Sequence, residues 1–390
     1  MSALTGSRHA AALGRRYSWL QGQGRRYFLL IYGLVVLGLV AVFSASYPLA
    51  GRPTPQGGNP YSYFEKQMVF ALVGLGLMLI LARLRVRTVA RLLAAVGFPV
   101  SLVLMVVTLV WGVKVNGAAL WMEIGPVRFQ PSELAKVCLV TFLAVMFARG
   151  PITAANWGKI VLPAAGATVV MVLLLLAQSD VGMAMLVLAT ALGLALLAGV
   201  RGRYVLGSVL GVMALAAVLV RPDPDSYRWA RIAAWLHPEE HLRGGGYHVY
   251  NMLIALARGG PVGAGLGMSP DKWRNLPVPH TDSIFCVLGG ELGWWGAAGV
   301  IALMALLALW AFGVARRCPH RLGWFLAAGM GLTLALQGFL NIAVATALLP
   351  ITGLTLPFIS AGGSSIISCL VATGVVLSVA AECPPGEESR

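Results

Sequence analysis

Three charged side chains set in otherwise apolar sequence are the residues best placed to do chemistry: Asp282, Glu133 and Lys136. Asp282 falls in LPVPHTDSIFCVLGGELG, residues 276–293, where a polar run turns abruptly into an apolar segment. A carboxylate at the edge of hydrocarbon is expensive, so by default it marks a functional site; the bland alternative is a buried structural acid. Glu133 and Lys136 stand three residues apart, which puts them on one helix face where they can pair. Two readings follow. The pair is a structural ion bridge locking two helices, or Lys136 offers its charge to an anionic ligand while Glu133 orients it. Pro131 suits the first turn of that helix, which would aim the pair at an outer mouth.

Apolar helices must position these groups. The chain has 390 residues, 58 % of them apolar and only 11 % charged, which excludes an ordinary soluble globular protein. Uncharged runs at 28–43, 161–177 and 183–200 are too long and too apolar for core helices. At about twenty apolar residues per span, ten helices are expected, over 27–47, 67–82, 89–111, 131–148, 160–177, 181–200, 204–220, 283–313, 323–348 and 355–381. The expected fold class is an all-α polytopic membrane protein of ten transmembrane helices. Its long extracytoplasmic loop, residues 221–281, joins the seventh and eighth. A membrane domain over 27–382 would then be flanked by a basic tail, 1–26, and a short polar one, 383–390.

The connections alternate in charge. Arg15, Arg16, Arg25 and Arg26, then Arg83, Arg85, Arg87 and Arg91, fall on one side with Arg149, Lys159, Arg201, Arg203, Arg316, Arg317 and Arg321. Short basic loops stay in the cytoplasm, so both termini are expected inside. That bias also accounts for the formal charge of +15 without nucleic acid, for which no polar domain exists. The first 26 residues lack the short apolar region and cleavage site of a signal peptide.

Other candidate chemistries fall away. Five cysteines show no paired spacing and read as small buried hydrophobes, with no disulfide framework. His237-Pro-Glu-Glu-His241 matches an H-x-x-E-H zinc pattern, but Pro238 follows the first histidine directly and no third ligand is evident. GGPVGAGLG, residues 259–267, lacks the Lys-Ser/Thr ending of a phosphate loop and reads as a tight turn or re-entrant bend. Within the long loop, Arg228, Arg231, Arg243, Arg258, Lys272 and Arg274 alternate with Tyr and Trp. That composition suits helices lying on a membrane surface, either as anchors or to capture a phosphate-bearing lipid. Gln337 and Asn341, four apart on one span, are expected to bond across helices.

Taken together, these segments resemble the SEDS (shape, elongation, division and sporulation) family, which includes RodA, FtsW and SpoVE. The matching blocks are NGAALW (116–121), FQPSELAK (129–136), QSDVGMAM (178–185) and RIAAWLHPEEHLRGGGYHVYNMLIAL (231–256). They continue with GAGLGMSPDKWRNLPVPHTDSIFCVLGGELG (263–293) and LQGFLNIAVATALLPITGLTLPFISAGGSS (336–365). The resemblance implies a peptidoglycan glycosyltransferase that polymerises lipid II into glycan strands outside the bacterial cytoplasmic membrane, beside a class B penicillin-binding protein. It implies that Asp282 of HTD is the catalytic carboxylate. It carries the family's Glu–Lys pair onto Glu133 and Lys136, and its loop tryptophan onto Trp121. Gln130 and His280 lie in the same matching motifs and join them as expected substrate contacts. Departures stand at Leu120, His248, Asn251, Ser283, Gly290 and Ala361, where the family usually has Arg, Gln, Gln, Phe, Glu and Tyr.

Such a reaction is attack by a sugar hydroxyl on an anomeric carbon with a lipid diphosphate leaving. The donor linkage is alpha and the product beta, so one inverting displacement suffices. One base must take the hydroxyl proton, and positive charge must steady the diphosphate. Asp282 is expected as that base, or as ligand of a divalent cation (Mg or Mn); Lys136, Arg228 and Arg231 are the expected diphosphate contacts. The rival readings are a lipid II flippase and a non-catalytic scaffold that recruits the transpeptidase.

Overall fold

The computed structural model describes residues 22–50, 59–115, 118–125, 127–219, 227–242, 245–274 and 276–383. Arg15, Arg16, Arg243 and the C-terminal tail from Pro384 lie outside them. A helix stands at each of the ten expected spans: α1 (Gly22–Ala50), α2 (Ser62–Arg83), α3 (Val86–Trp111), α4 (Pro131–Ala148), α5 (Trp157–Ala177), α6 (Val181–Leu197), α7 (Gly202–Leu219), then α11 (Ile284–Arg317), α12 (Arg321–Ala345) and α13 (Gly363–Glu382). Among the described residues, eight are long and apolar enough to cross a membrane; α6 is shorter. The protein is a polytopic membrane protein.

Residues 227–274, expected as loop, are largely helical: α8 (Tyr227–Leu236), a 3-10 turn (Pro238–His241), α9 (Gly245–Gly259) and the single turn α10 (Asp271–Arg274). The connection before α4 holds a feature that apolar runs could not reveal. It is a three-stranded antiparallel meander, β1 (Val113–Val115), β2 (Ala118–Ile124) and β3 (Val127–Phe129), with Trp121 opposite Val113 and Met122 opposite Phe129.

At the centre lies α13, buried along almost its whole length. Small residues bring it close to α2: a Cβ on Gly374 would lie 2.9 Å from the Met78 carbonyl, and one on Gly74 would lie 2.6 Å from Leu370. Close approach through small residues is how membrane helices gain dispersion contacts where no hydrophobic effect separates helix from lipid. Outward faces of α2, α3 and α5 keep Leu72, Val73, Val103, Leu162 and Leu173 exposed, as lipid requires.

The final span was expected over 355–381 but begins at Gly363. Pro350, Pro357 and the left-handed Gly353 (φ +72°) keep residues 350–362 irregular. Such chain is tolerable at this depth because side chains take up its polar groups. Ser360 Oγ accepts from the Leu356 amide at 2.8 Å, Gln67 Oε1 from the Gly362 amide at 3.1 Å, and Asn341 Nδ2 donates to the Leu354 carbonyl at 2.6 Å.

A break interrupts α11 at Gly293 (φ 68°, ψ −166°). The glycine-rich residues 259–267 pack into the break and serve its free backbone groups. The Ala264 and Gly265 amides donate to Gly290 and Glu291 carbonyls at 3.0 Å each, and the Trp294 amide donates to Gly260 at 2.8 Å. Gly263 must be glycine here, since its Cβ would lie 2.2 Å from the Glu291 carbonyl oxygen.

The basic connections gather at one end. Arg321 donates to the Phe147 and Gly150 carbonyls at 3.2 and 2.9 Å, and Glu382 accepts from the Val86 amide at 2.9 Å. Cys318 and Cys383, expected to be unpaired, lie side by side there with Cα atoms 5.1 Å apart. Their 65-residue separation left no spacing to read. Asp282, Glu133 and Asp180 stand at the opposite helix ends, near the meander and α8–α10.

Candidate active site

Asp282 sits in the turn that leads into α11, and three consecutive carbonyls of that turn are held from outside it. The Ala361 amide donates to His280 at 2.8 Å, Ser360 Oγ to Thr281 at 2.8 Å, and Asn341 Nδ2 to Asp282 at 3.4 Å. The backbone is thereby fixed by α12 and the irregular residues before α13, leaving the carboxylate to be aimed. That carboxylate is half-buried, and Gly353 faces it: a Cβ there would lie 4.0 Å from Asp282 Oδ2.

Burial pushes the Asp282 carboxyl up to about 6, against a smaller lowering by its hydrogen bond with Thr281. Two residues earlier, the His280 ring packs 4.5 Å from that of Tyr63, and burial holds its pKa down at about 4. On two residues tied to this turn, a buried polar atom has no hydrogen-bond partner among the described residues: His280 Nδ1 and Asn341 Oδ1. Buried polar atoms are normally satisfied, so unpartnered ones on residues of this turn and its support make Asp282 a candidate site.

Glu133 and Lys136 do pair, on the first turns of α4, but both are buried, at 3 % and 1 % exposed, rather than open to an outer mouth. Lys136 Nζ also donates to Gln337 Oε1 at 2.7 Å, and Ser368 Oγ donates to Glu133 Oε2 at 2.7 Å. Gln337 Nε2 continues to the Thr355 carbonyl and Oγ1, at 3.0 and 3.1 Å. The pair therefore ties α4 to α12 and α13, which is the structural one of the two readings.

Asp180, which falls in the QSDVGMAM block, joins this cluster. Its Oδ1 caps α6 by accepting from the Met183 amide at 3.0 Å, and its Oδ2 accepts from Gln130 Nε2 at 3.3 Å. Gln130 is held in turn by its amide, which donates to Ser364 Oγ at 2.9 Å. Burial raises the Asp180 pKa to about 6; the Met183 hydrogen bond opposes this, Glu133 adds to it and Lys136 opposes it. The signal was present in sequence as an acid immediately before an apolar helix, a helix-cap position.

The loop cations separate into two groups. Lys272, expected to face headgroups, is buried, donating to Glu291 Oε1 at 2.7 Å and Ser44 Oγ at 2.9 Å. Arg258 pairs with Asp271. Arg228 and Arg231 lie on α8, their side chains outside the described residues, and Trp235 anchors that helix through a 2.8 Å bond to the Ala347 carbonyl. Trp121 is half-buried on β2. His241 Nδ1 lies 3.0 Å from the His237 carbonyl, and His237, Glu239 and Glu240 are exposed.

A divalent cation at Asp282 would find a single carboxylate there. Magnesium and manganese are commonly held by one or two carboxylates plus substrate phosphates, and Asp282 is a carboxylate with unpartnered polar atoms on residues of its turn and support.

Known proteins match the chain along most of its length. The family model of FtsW, RodA and SpoVE, described as cell cycle proteins, matches residues 25–383. A relative from Halorhodospira halophila, named probable peptidoglycan glycosyltransferase FtsW, is 37 % identical over 380 residues, covering 96 % of this chain and 93 % of its own. An Escherichia coli O157:H7 protein of the same name is 33 % identical over 353 residues, covering 90 % and 84 %. Among solved structures, a chain from work on "structural coordination of polymerization and crosslinking by a peptidoglycan synthase complex" superposes with a TM-score of 0.74 at 30 % identity, covering 92 % of this chain and 98 % of that one. The crystal structure of Thermus thermophilus rod shape determining protein RodA gives 0.66 at 30 % identity, covering 92 % and 97 %. The chain therefore belongs to the FtsW/RodA/SpoVE family.

Proposed function

We propose that this protein is a peptidoglycan glycosyltransferase that polymerises lipid II on the outer face of the bacterial cytoplasmic membrane. The observation that carries the reading is Asp282: its backbone is pinned at three successive carbonyls, while its carboxylate is left half-buried, with unpartnered polar atoms on residues of its turn and support. The relatives' shared name, peptidoglycan glycosyltransferase, supports the same chemistry. Basic connections at the opposite end of the bundle support an orientation with the acid outside and both termini inside.

In the reaction, Asp282 takes the proton of the attacking sugar hydroxyl as it displaces the diphosphate from the anomeric carbon, inverting it. A pKa near 6 suits a base working near neutral pH. General-base help of this kind is worth roughly a hundred- to ten-thousandfold. Arg228 and Arg231 on α8 are the proposed direct contacts of the diphosphate, since Lys136 is sealed beneath the site and contributes by position rather than contact. His280 and Trp121 line the sugar path, and Gln130 with Glu133 sets the floor. In the alternative role, Asp282 would instead hold a divalent cation together with the substrate phosphates, neutralising charge on the leaving group.

A class B penicillin-binding protein is the proposed partner, crosslinking the nascent strand; the solved complex whose chain this one resembles couples polymerisation to crosslinking. The buried charged side chains Glu133, Lys136, Asp180, Lys272 and Glu291 lie toward the end that carries Asp282, which favours polymerisation over a flippase, since a flippase needs a polar path through both leaflets. Purified protein with its transpeptidase and labelled lipid II should yield long glycan chains. Translocation of labelled lipid II in vesicles with no chain growth would overturn the reading.

A further inference from the structure

One side chain of the extracytoplasmic helices reaches the turn that carries the acid. His248 on α9 places Nε2 2.9 Å from Ser283 Oγ, and Ser283 directly follows Asp282. The same hydroxyl donates to the Pro277 carbonyl at 3.0 Å. A hydroxyl has one proton, so once it is committed to Pro277 the imidazole must be the donor, as the Nε2–H tautomer. Burial lowers the His248 pKa, which keeps the ring neutral at neutral pH. The result is a closed ring over residues 277–283, tightened by the Thr281 amide donating to Val278 at 3.2 Å, with Asp282 inside it.

We propose that His248 is a positioning residue that latches α9 to this ring and so fixes the direction of the Asp282 carboxylate; its effect on rate rests on the polymerase reading above. The helix does not need the latch to stay docked. Val249, Met252 and Ala255 are buried at 2 %, 1 % and 0 % exposure and hold α9 by apolar packing. Loss of the imidazole therefore frees the turn without undocking the helix. Placement of a catalytic group within a fraction of an ångström governs rate more than substrate affinity.

The test uses the full chain with its transpeptidase and labelled lipid II. His248→Ala and Ser283→Ala should each lower kcat by about five- to tenfold, the scale of one lost hydrogen bond, with KM for lipid II changed less than about twofold. The double variant should be no worse than the worse single one, because both act through one chain of bonds. His248→Gln, whose amide can donate to the same hydroxyl, should restore most of the rate. Hydrogen–deuterium exchange over residues 277–283 should quicken in His248→Ala and return in His248→Gln. Unchanged exchange in that turn, or losses that multiply in the double variant, would overturn the latch. A wild-type protein inactive on lipid II would instead sink the polymerase reading, and exchange would still decide the latch.

Discussion

Asn341 stands one helical turn beyond Gln337 on α12, and the two amides grip different halves of the site. Gln337 accepts from Lys136 at 2.7 Å, while Asn341 donates to the Asp282 carbonyl at 3.4 Å. Both also bind the irregular residues before α13, at Thr355 and Leu354. One helix face thus couples the buried ion pair to the turn that presents the acid. Substitution of Asn341 by Leu should lower polymerisation by roughly fivefold or more, the scale of one to two hydrogen bonds. Gel-resolved glycan synthesis checks this, and full activity would show the coupling to be idle.

Breaking the ion pair should act first on stability. Lys136→Met leaves Glu133 buried with Ser368 Oγ as its remaining partner, and removal of one member of a buried pair costs about 3–5 kcal/mol. The double variant Glu133→Gln with Lys136→Met removes both charges and should recover much of that loss. Thermal unfolding in detergent reads the difference; a double variant as unstable as the sum of the singles would refute the pairing energetics.

Gly353 is constrained by its φ of +72°, and the Asp282 carboxylate lies at contact distance, 4.0 Å from where its Cβ would stand. Gly353→Ala should cost about 1 kcal/mol of stability from the backbone and lower activity as well, because relief of the left-handed conformation would move the chain that faces the acid. A variant with unchanged kcat would place the reacting groups elsewhere.

The pH dependence follows from the raised Asp282 pKa. A base works only when deprotonated, so kcat/KM should be level above about 6 and fall about tenfold per pH unit below it. His280, held near 4, stays neutral through that window and adds no limb. A profile flat down to pH 4.5 would contradict the base assignment. Chelation separates the two roles given to the carboxylate: if a divalent cation assists, EDTA should slow polymerisation and added magnesium or manganese should restore it.

Much of this was legible in the sequence because charge in apolar helices is rare. Asp282, Glu133 and Lys136 stood out on that ground alone, and hydropathy located each long helix. What stayed hidden depends on chain folding back over long separations. Lys272 meets Ser44 across 228 residues, and Asp180 meets Gln130 across 50, so neither partner could be read from spacing. The meander has strands of three to seven residues, too short for periodicity to register. Residues 350–362 are largely apolar like a span, yet Pro350, Pro357 and the left-handed Gly353 keep them from helix.

The central claim is that Asp282 takes the proton in glycan polymerisation, and Asp282→Asn in the purified complex tests it most directly. The amide cannot act as base, so turnover of lipid II should fall by at least about a hundredfold. The variant should melt no lower than the wild type, since burial already disfavours the charged form. Glycan chains formed at the wild-type rate by that variant would contradict the claim.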